Sequence, residues 1–203
     1  MTNTPGGHGI EALRTATRAT HERLDALVDL RAWDQATHRW WLQRMLGLHE
    51  PLERDLGSWY DGHAASGEDA PDVPSRRRAG AIASDLRSLG LTDEEVRNLP
   101  RSPLPPAPTT RGQALGRLYV LDGSALGGSV IARHAVANGV PHDACTSLAH
   151  DPGRIASWRE TKALLDDLTP AELAEAVLAA SELFAVFEAW LLTPTSDGRT
   201  SQQ

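Results

Sequence analysis

The sequence contains only one cysteine, Cys145, so no intrachain disulfide can form, and the cysteine spacings of zinc sites do not occur. A lone cysteine fits a reducing compartment, and we expect a cytoplasmic location. No apolar run reaches the roughly 18 residues that a membrane span needs. The first ten residues also lack the basic and apolar regions of a signal peptide. The sequence therefore predicts neither export nor a membrane span.

Positive charge is also scarce. The 203 residues carry 20 Lys and Arg against 27 Asp and Glu, for a net charge of -7. Nucleic-acid-binding domains usually carry a basic surplus, so a nucleic-acid partner is not expected. The length fits one domain, with residues 1–8 as a flexible lead, residues 9–193 as the folded unit and residues 194–203 as a flexible tail.

Strand-like alternation is nearly missing, whereas apolar residues recur at helical spacing along most of the chain. This predicts an all-α fold. A first helix is expected over residues 9–29, and Asp34 is expected to cap a second helix in which Pro51 causes a kink or a restart. A third helix is predicted to end at Gly90, and a short helix is predicted to begin at Thr92, which forms a capping-box pattern with Glu95. Two more helices are predicted, one over residues 155–168 and one that begins at Pro170 with Thr169 as its cap. The proline-rich residues 100–112 predict an extended connector.

The stretch "YVLDGSALGGSVIARH", residues 119–134, combines helical spacing with Gly123, Gly127 and Gly128. Each glycine costs a helix about 1 kcal/mol relative to alanine. A phosphate-binding loop is disfavoured, because Ser129 stands where such a loop needs lysine and Ala125 interrupts the dinucleotide pattern. Two interpretations remain: the glycines allow another helix to cross closely, or they leave the backbone bare for a flat ligand.

His21 lies at the border of the apolar face of the first predicted helix. Arg14 and Arg18 precede it by one to two turns, and Asp25 follows by one turn, where a carboxylate can orient a metal-bound imidazole. A histidine in this position is more often a core or boundary residue, and such charges are more often a solvated face. The sequence of this helix leaves both interpretations open.

Taken together, "LRTATRATHERLD" and "LYVLDGSALGGSVIARH" resemble the haem oxygenase family, particularly its bacterial, biliverdin-producing members. The two motifs occur in the family's order and at about its separation. The closing segment "AVLAASELFAVFEAWL" also has the family's character, so the resemblance extends from about residue 9 to residue 193. It implies a single-domain helical bundle in which haem lies between a proximal N-terminal helix and a kinked, glycine-rich distal helix.

The resemblance also implies roles for individual residues. His21 would be the axial ligand to iron, with Asp25 holding its ring and Thr17 beside it in the haem site. Gly123, Gly127 and Gly128 would leave room for O2. Mammalian-type members carry an aspartate where this chain has Ser124, so the distal hydrogen-bond network must be built differently, from the serine hydroxyl, water and backbone.

Haem propionates are anionic and usually need basic partners. The resemblance assigns this role to Arg14 and Arg18, with Arg159 or Lys162 on the penultimate helix as a further contact. The run "SRRRAG", containing Arg76, Arg77 and Arg78, is interpreted as the basic first turn of a surface helix.

The implied reaction is the oxygen-dependent opening of haem to biliverdin, CO and free iron, with haem as both substrate and cofactor. No flavin or nicotinamide site is visible in the sequence, so electrons are expected from a ferredoxin or a flavoprotein reductase. One alternative is a haem carrier or sensor on the same fold that does not turn haem over. Another is a related helical fold of the thiamine-degrading or quinone-biosynthesis type.

Overall fold

The computed structural model describes residues 7–64 and 71–194, and every regular element in these ranges is helical. The α-helices are α1 His8–Ala26, α2 Gln35–Ala64, α3 Ala79–Ser88, α4 Asp93–Asn98, α5 Arg111–Leu126, α6 Gly128–Ala137, α7 Pro152–Asp166 and α8 Pro170–Leu192. Short 3-10 turns occur at Pro74–Arg76, His142–Ala144 and Thr146–Leu148. The prediction of an all-α fold is confirmed.

Local capping signals explain where several helices begin. The Asp34 carboxylate accepts the backbone N–H of Thr37 at 2.7 Å, in front of α2. Thr92 with Glu95 and Thr169 with Glu172 form capping boxes at α4 and α8. These caps lie where the sequence predicts them, because each depends on side chains within four residues of the helix start.

Pro51 does not restart α2, which runs through it as one helix, so that part of the prediction is wrong. Proline has no N–H to donate to the carbonyl four residues earlier, at Gly47. The backbone N–H of Ser102 donates to that carbonyl instead, at 2.9 Å. The extended connector after α4 therefore satisfies the carbonyl that the proline frees, which lets the helix continue.

The most extensive helix contact is between α5 and α8. It depends on Gly112 and Gly116, since a Cβ atom on either would overlap the backbone carbonyl oxygen of Glu172 or Ala176. This close crossing places α5 on the core, where Leu115 and Leu118 are fully buried. A glycine pair one turn before the segment singled out above is therefore the pair that permits a helix crossing.

The N-terminus of α1 is held by another helix. The Asp166 carboxylate of α7 accepts the backbone N–H groups of Gly7 and Gly9 at 3.1 and 3.0 Å. The start of α1 is thus tied to α7. Most of the predicted lead and tail, residues 1–6 and 195–203, lies outside the described residues. Within the described ranges, every helix is too short or too polar to cross a bilayer.

Candidate functional site

A cavity of about 900 Å³ lies between α1 on one side and α5 with α6 on the other, with α8 contributing its floor. This volume is near the upper end of the about 300–1,000 Å³ typical of small-molecule pockets. Its wall is mainly apolar, and includes Met45, Tyr119, Trp158, Phe184, Phe187 and Leu191. Such a cavity suits a large, mostly apolar ligand that carries a few polar groups.

His21 lines this cavity from α1. Its Nδ1 atom lies 3.0 Å from the Asp25 carboxylate, and its ring is tilted against Phe184 with 6.0 Å between ring centroids. When Nδ1–H donates to Asp25, Nε2 keeps its lone pair for a metal. The side chain is 60% exposed, so a ligand in the cavity can reach that nitrogen without first breaking a buried contact.

Arg14 and Arg18 also line the cavity, and both are exposed. Neither takes part in the ion pairs formed within the described part of the chain. Thr17 is buried between them, and its hydroxyl donates to the Leu13 carbonyl at 2.8 Å. One face of α1 therefore presents two free cations and a possible metal ligand to the same cavity.

The three glycines of the distal segment differ in the space that surrounds them. A Cβ on Gly127 meets nothing within 4 Å, and one on Gly123 meets only the Trp158 ring, at 3.8 Å. A Cβ on Gly128, by contrast, would lie 3.2 Å from the Leu148 carbonyl oxygen, so this glycine also serves packing. The cavity geometry favours the bare-backbone interpretation for Gly127, at which the distal segment breaks into α5 and α6.

Ser124 lines the cavity between these glycines. Its hydroxyl donates to the Leu121 carbonyl at 2.7 Å. A serine hydroxyl has one proton to donate and two lone pairs. Because the proton is already used, Ser124 presents only its acceptor side to the cavity.

Lys162 and Arg159 do not line the cavity. The cavity reaches α7 at Trp158, and Lys162 lies one helical turn, about 6 Å, further along the helix. The structure therefore does not bring the predicted further propionate contact, Arg159 or Lys162, to the site. Of the cations predicted to bind propionates, only the two on α1 line the cavity.

The interpretation of the "SRRRAG" run as a surface turn is wrong for two of its three arginines. Arg76 and Arg78 are only 6% and 5% exposed, whereas Arg77 is exposed. Arg76 donates to the carboxylates of Asp122 and Glu160 and, at 3.0 Å, to the Thr161 hydroxyl. The run lies beneath α5 and α7 because this buried ion pair holds it there.

A sequence signal for this burial was present. Asp122 ends the apolar run "LYVLD" in α5, and a carboxylate in a buried helix needs a partner. Burial raises the pKa of Asp122, while Arg76 and the Thr161 hydroxyl act in the opposite direction. Arg78 was missed as well, although it lines the cavity.

The fold and the site together define a helical protein with a cavity suited to a large, flat, partly anionic ligand, and with a histidine available to a metal. Haem fits these residues: the wall is apolar, His21 offers a nitrogen, Gly127 leaves backbone uncovered, and two free arginines suit the propionates. A lone histidine also suits a metal that brings its other ligands with it, as haem iron does.

Comparisons with known proteins agree with this class. The chain is 32% identical over 170 residues to a "Heme oxygenase" of Xanthomonas campestris, covering 78% of this chain and 90% of that protein. It is 28% identical over 185 residues to "Heme oxygenase PigA" of Pseudomonas aeruginosa, covering 87% and 88%. No protein-family profile matches. The chain belongs to the haem oxygenase family, whose members are enzymes that degrade haem.

A solved structure supports the fold independently. The NO- and CO-bound heme oxygenase from Neisseria meningitidis superposes with a TM-score of 0.65 at 24% identity, covering 90% of this chain and 89% of that one. At this identity the likeness concerns the arrangement of helices. It agrees with the predicted bundle, in which the cavity lies between the N-terminal helix and a broken distal helix.

Proposed function

We propose that the protein opens the haem macrocycle with O2, yielding biliverdin, CO and free iron with electrons from an external donor. The observation that carries this proposal is the pairing, in one cavity, of His21 on α1 with the uncovered backbone at Gly127 between α5 and α6. One wall offers an iron ligand, and the other leaves space where a small gas can bind.

Haem supplies the redox-active iron and is itself the molecule that is cleaved. The chain's residues bind and orient it. His21 binds the iron through Nε2, and Asp25 holds the ring through Nδ1 in one tautomer. Arg14 and Arg18 bind the propionates and so fix the rotation of the macrocycle in its plane. This rotation selects the ring carbon that faces the distal wall, which is the side of the cavity opposite α1.

The distal wall supplies space and hydrogen bonds. Gly127 and Gly123 keep side chains away from the reacting edge, and the apolar floor on α8 excludes bulk water. The Ser124 oxygen accepts a hydrogen bond from an ordered water, because the hydroxyl's own proton is donated to the Leu121 carbonyl. Proton delivery in this chain therefore depends on water held by Ser124 rather than on a distal carboxylate.

A carrier or sensor that leaves haem intact is the less favoured function, because the two relatives named above are oxygenases and the chain matches each of them over most of its length. Family membership also disfavours the thiamine-degrading and quinone-biosynthesis types. A ferredoxin or a flavoprotein reductase is the proposed electron donor, since no flavin or nicotinamide motif occurs in the sequence. The cytoplasmic location stays a prediction.

The test is a haemin titration of the parent protein and of His21→Ala. The parent is expected to give a histidine-ligated spectrum and, with reductant in air, a biliverdin band. His21→Ala is expected to lose that spectrum and to regain part of it with added imidazole. His134→Ala is the matched control, because this exposed histidine on α6 does not line the cavity. A parent complex that stays unchanged under O2 and reductant would favour the carrier.

A further inference from the structure

Among the described residues, Arg78 is a buried arginine without an ion-pair partner. It is 5% exposed, lines the cavity, and takes part in none of the ion pairs within residues 7–64 and 71–194. Its Nη2 donates to the Ser147 carbonyl at 3.2 Å, its Nη1 lies 3.4 Å from Ser124 Oγ, and its Nε has no partner. Burying a cation with unused hydrogen-bond donors costs folding free energy, and this indicates that a ligand in the cavity uses these donors.

The backbone around Arg78 is fixed from α2. The Glu53 carboxylate accepts the backbone N–H groups of Arg78 at 2.8 Å and Ala79 at 3.1 Å, which caps α3. His49 Nδ1 lies 3.1 Å from the same carboxylate. Glu53 is thus occupied by the backbone and by His49, and it leaves the guanidinium of Arg78 free to extend towards α5.

The guanidinium retains donors that these contacts do not use. Arginine has five N–H groups, of which one donates to Ser147 and one makes the long contact with Ser124. Burial lowers the pKa of Arg78 to about 10, so the side chain is still cationic at neutral pH. The distal wall therefore carries a fixed positive charge beside a serine that can only accept hydrogen bonds from the cavity.

We propose that Arg78 is a positioning residue of the distal wall, which together with Ser124 holds one water molecule over the haem. An Arg78 N–H donates to this water. The water then donates one hydrogen bond to the free lone pair of Ser124 Oγ and the other to a small ligand in the cavity.

This inference rests on the proposed function, and its test is separable from it. Haemin binding and biliverdin formation by the parent test the function. The affinity of the ferric haem complex for fluoride, a small anion that accepts hydrogen bonds, tests Arg78. The affinity of the ferrous complex for CO, a neutral ligand, reports on damage to the cavity.

Arg78→Gln is expected to weaken fluoride binding by about 10- to 100-fold, as the loss of a charge-assisted hydrogen bond implies. CO affinity should change by less than about threefold. The acid–alkaline transition of the ferric complex should move to higher pH, because a nearby cation favours its deprotonated form. Arg78→Lys should restore most of the fluoride affinity, and Arg77→Gln, at the exposed neighbour, should match the parent.

Ser124→Ala keeps the proposal falsifiable if Arg78→Gln does not fold, since it leaves Arg78 in place and removes the second contact of the water. It should weaken fluoride binding without weakening haem binding. Fluoride affinities of Arg78→Gln or Ser124→Ala equal to that of Arg77→Gln would overturn the proposal. Equal losses of fluoride and CO affinity would also overturn it, because they would indicate a collapsed cavity.

Discussion

Gly127 and Gly116 give opposite predictions for the same substitution. Gly127 has φ -74° and ψ -19°, which any residue adopts, and an added Cβ would meet nothing within 4 Å. Gly127→Ala should therefore stabilise the ligand-free protein by about 0.4–1 kcal/mol through the unfolded chain. For a chain of this size that is a rise of about 1–4 °C in Tm.

Gly116→Ala should do the reverse, because its Cβ would overlap the Ala176 carbonyl oxygen on α8. Backbone cannot move aside as a flexible side chain can, so the cost should lie near the upper end of overpacking, about 3 kcal/mol. The expected fall in Tm is about 6–12 °C. Thermal melts of the ligand-free proteins, followed by circular dichroism, would test both values.

The functional effects should be the opposite of the stability effects. Folded Gly116→Ala should turn haem over at the parent rate below its Tm. Gly127→Ala, although more stable, should form biliverdin more slowly, and Gly127→Leu should bind haem through His21 yet lose CO binding. A Gly127→Leu protein that melts early but, when folded, binds CO and forms biliverdin normally would refute the assignment of Gly127 to the ligand space.

Three further predictions concern charged and titratable side chains. Arg14→Glu or Arg18→Glu should weaken haem binding and mix the biliverdin isomers, as chromatography of the products would show; unchanged affinity with a single isomer in both variants would remove these residues from the site. Arg76→Met should destabilise the fold by about 3–5 kcal/mol in urea melts, because it leaves a buried carboxylate unpaired, and a loss below about 1 kcal/mol would contradict that ion pair. Burial lowers the pKa of His38, whose Nδ1 accepts from Trp33, so the unfolded chain binds more protons and stability should fall as pH drops below about 6.5, by at most about 1.4 kcal/mol per unit for this group. A His38→Gln variant should show a flatter pH dependence in the same melts, and an equally steep one would rule out His38 as its source.

Local chemistry determined much of this protein. Helix starts at Asp34, Thr92 and Thr169 are readable because a cap and the N–H group that it satisfies lie within a few residues. The shared face of His21 with Arg14 and Arg18 on α1 is likewise a consequence of 3.6 residues per turn. The candidate proximal site could therefore be predicted in its essentials from one segment.

Only the tertiary structure decided which glycine pair crosses a helix and which remains bare. Both Gly112 with Gly116 and Gly123 with Gly127 are four residues apart, and the sequence pattern is the same for both pairs. The difference lies in what is opposite: α8 backbone for the first pair, and for the second only the Trp158 ring and the open cavity.

The same holds for the arginines. Arg76, Arg77 and Arg78 are chemically identical neighbours, yet two are buried and one is exposed. Their surroundings come from α2, α5 and α7, which are distant in sequence, and an ion pair between residues 76 and 122 leaves no periodic trace. Periodicity reports which face of an element is apolar, whereas the partner of a buried charge depends on how whole helices pack, and that packing decided the distal half of this site.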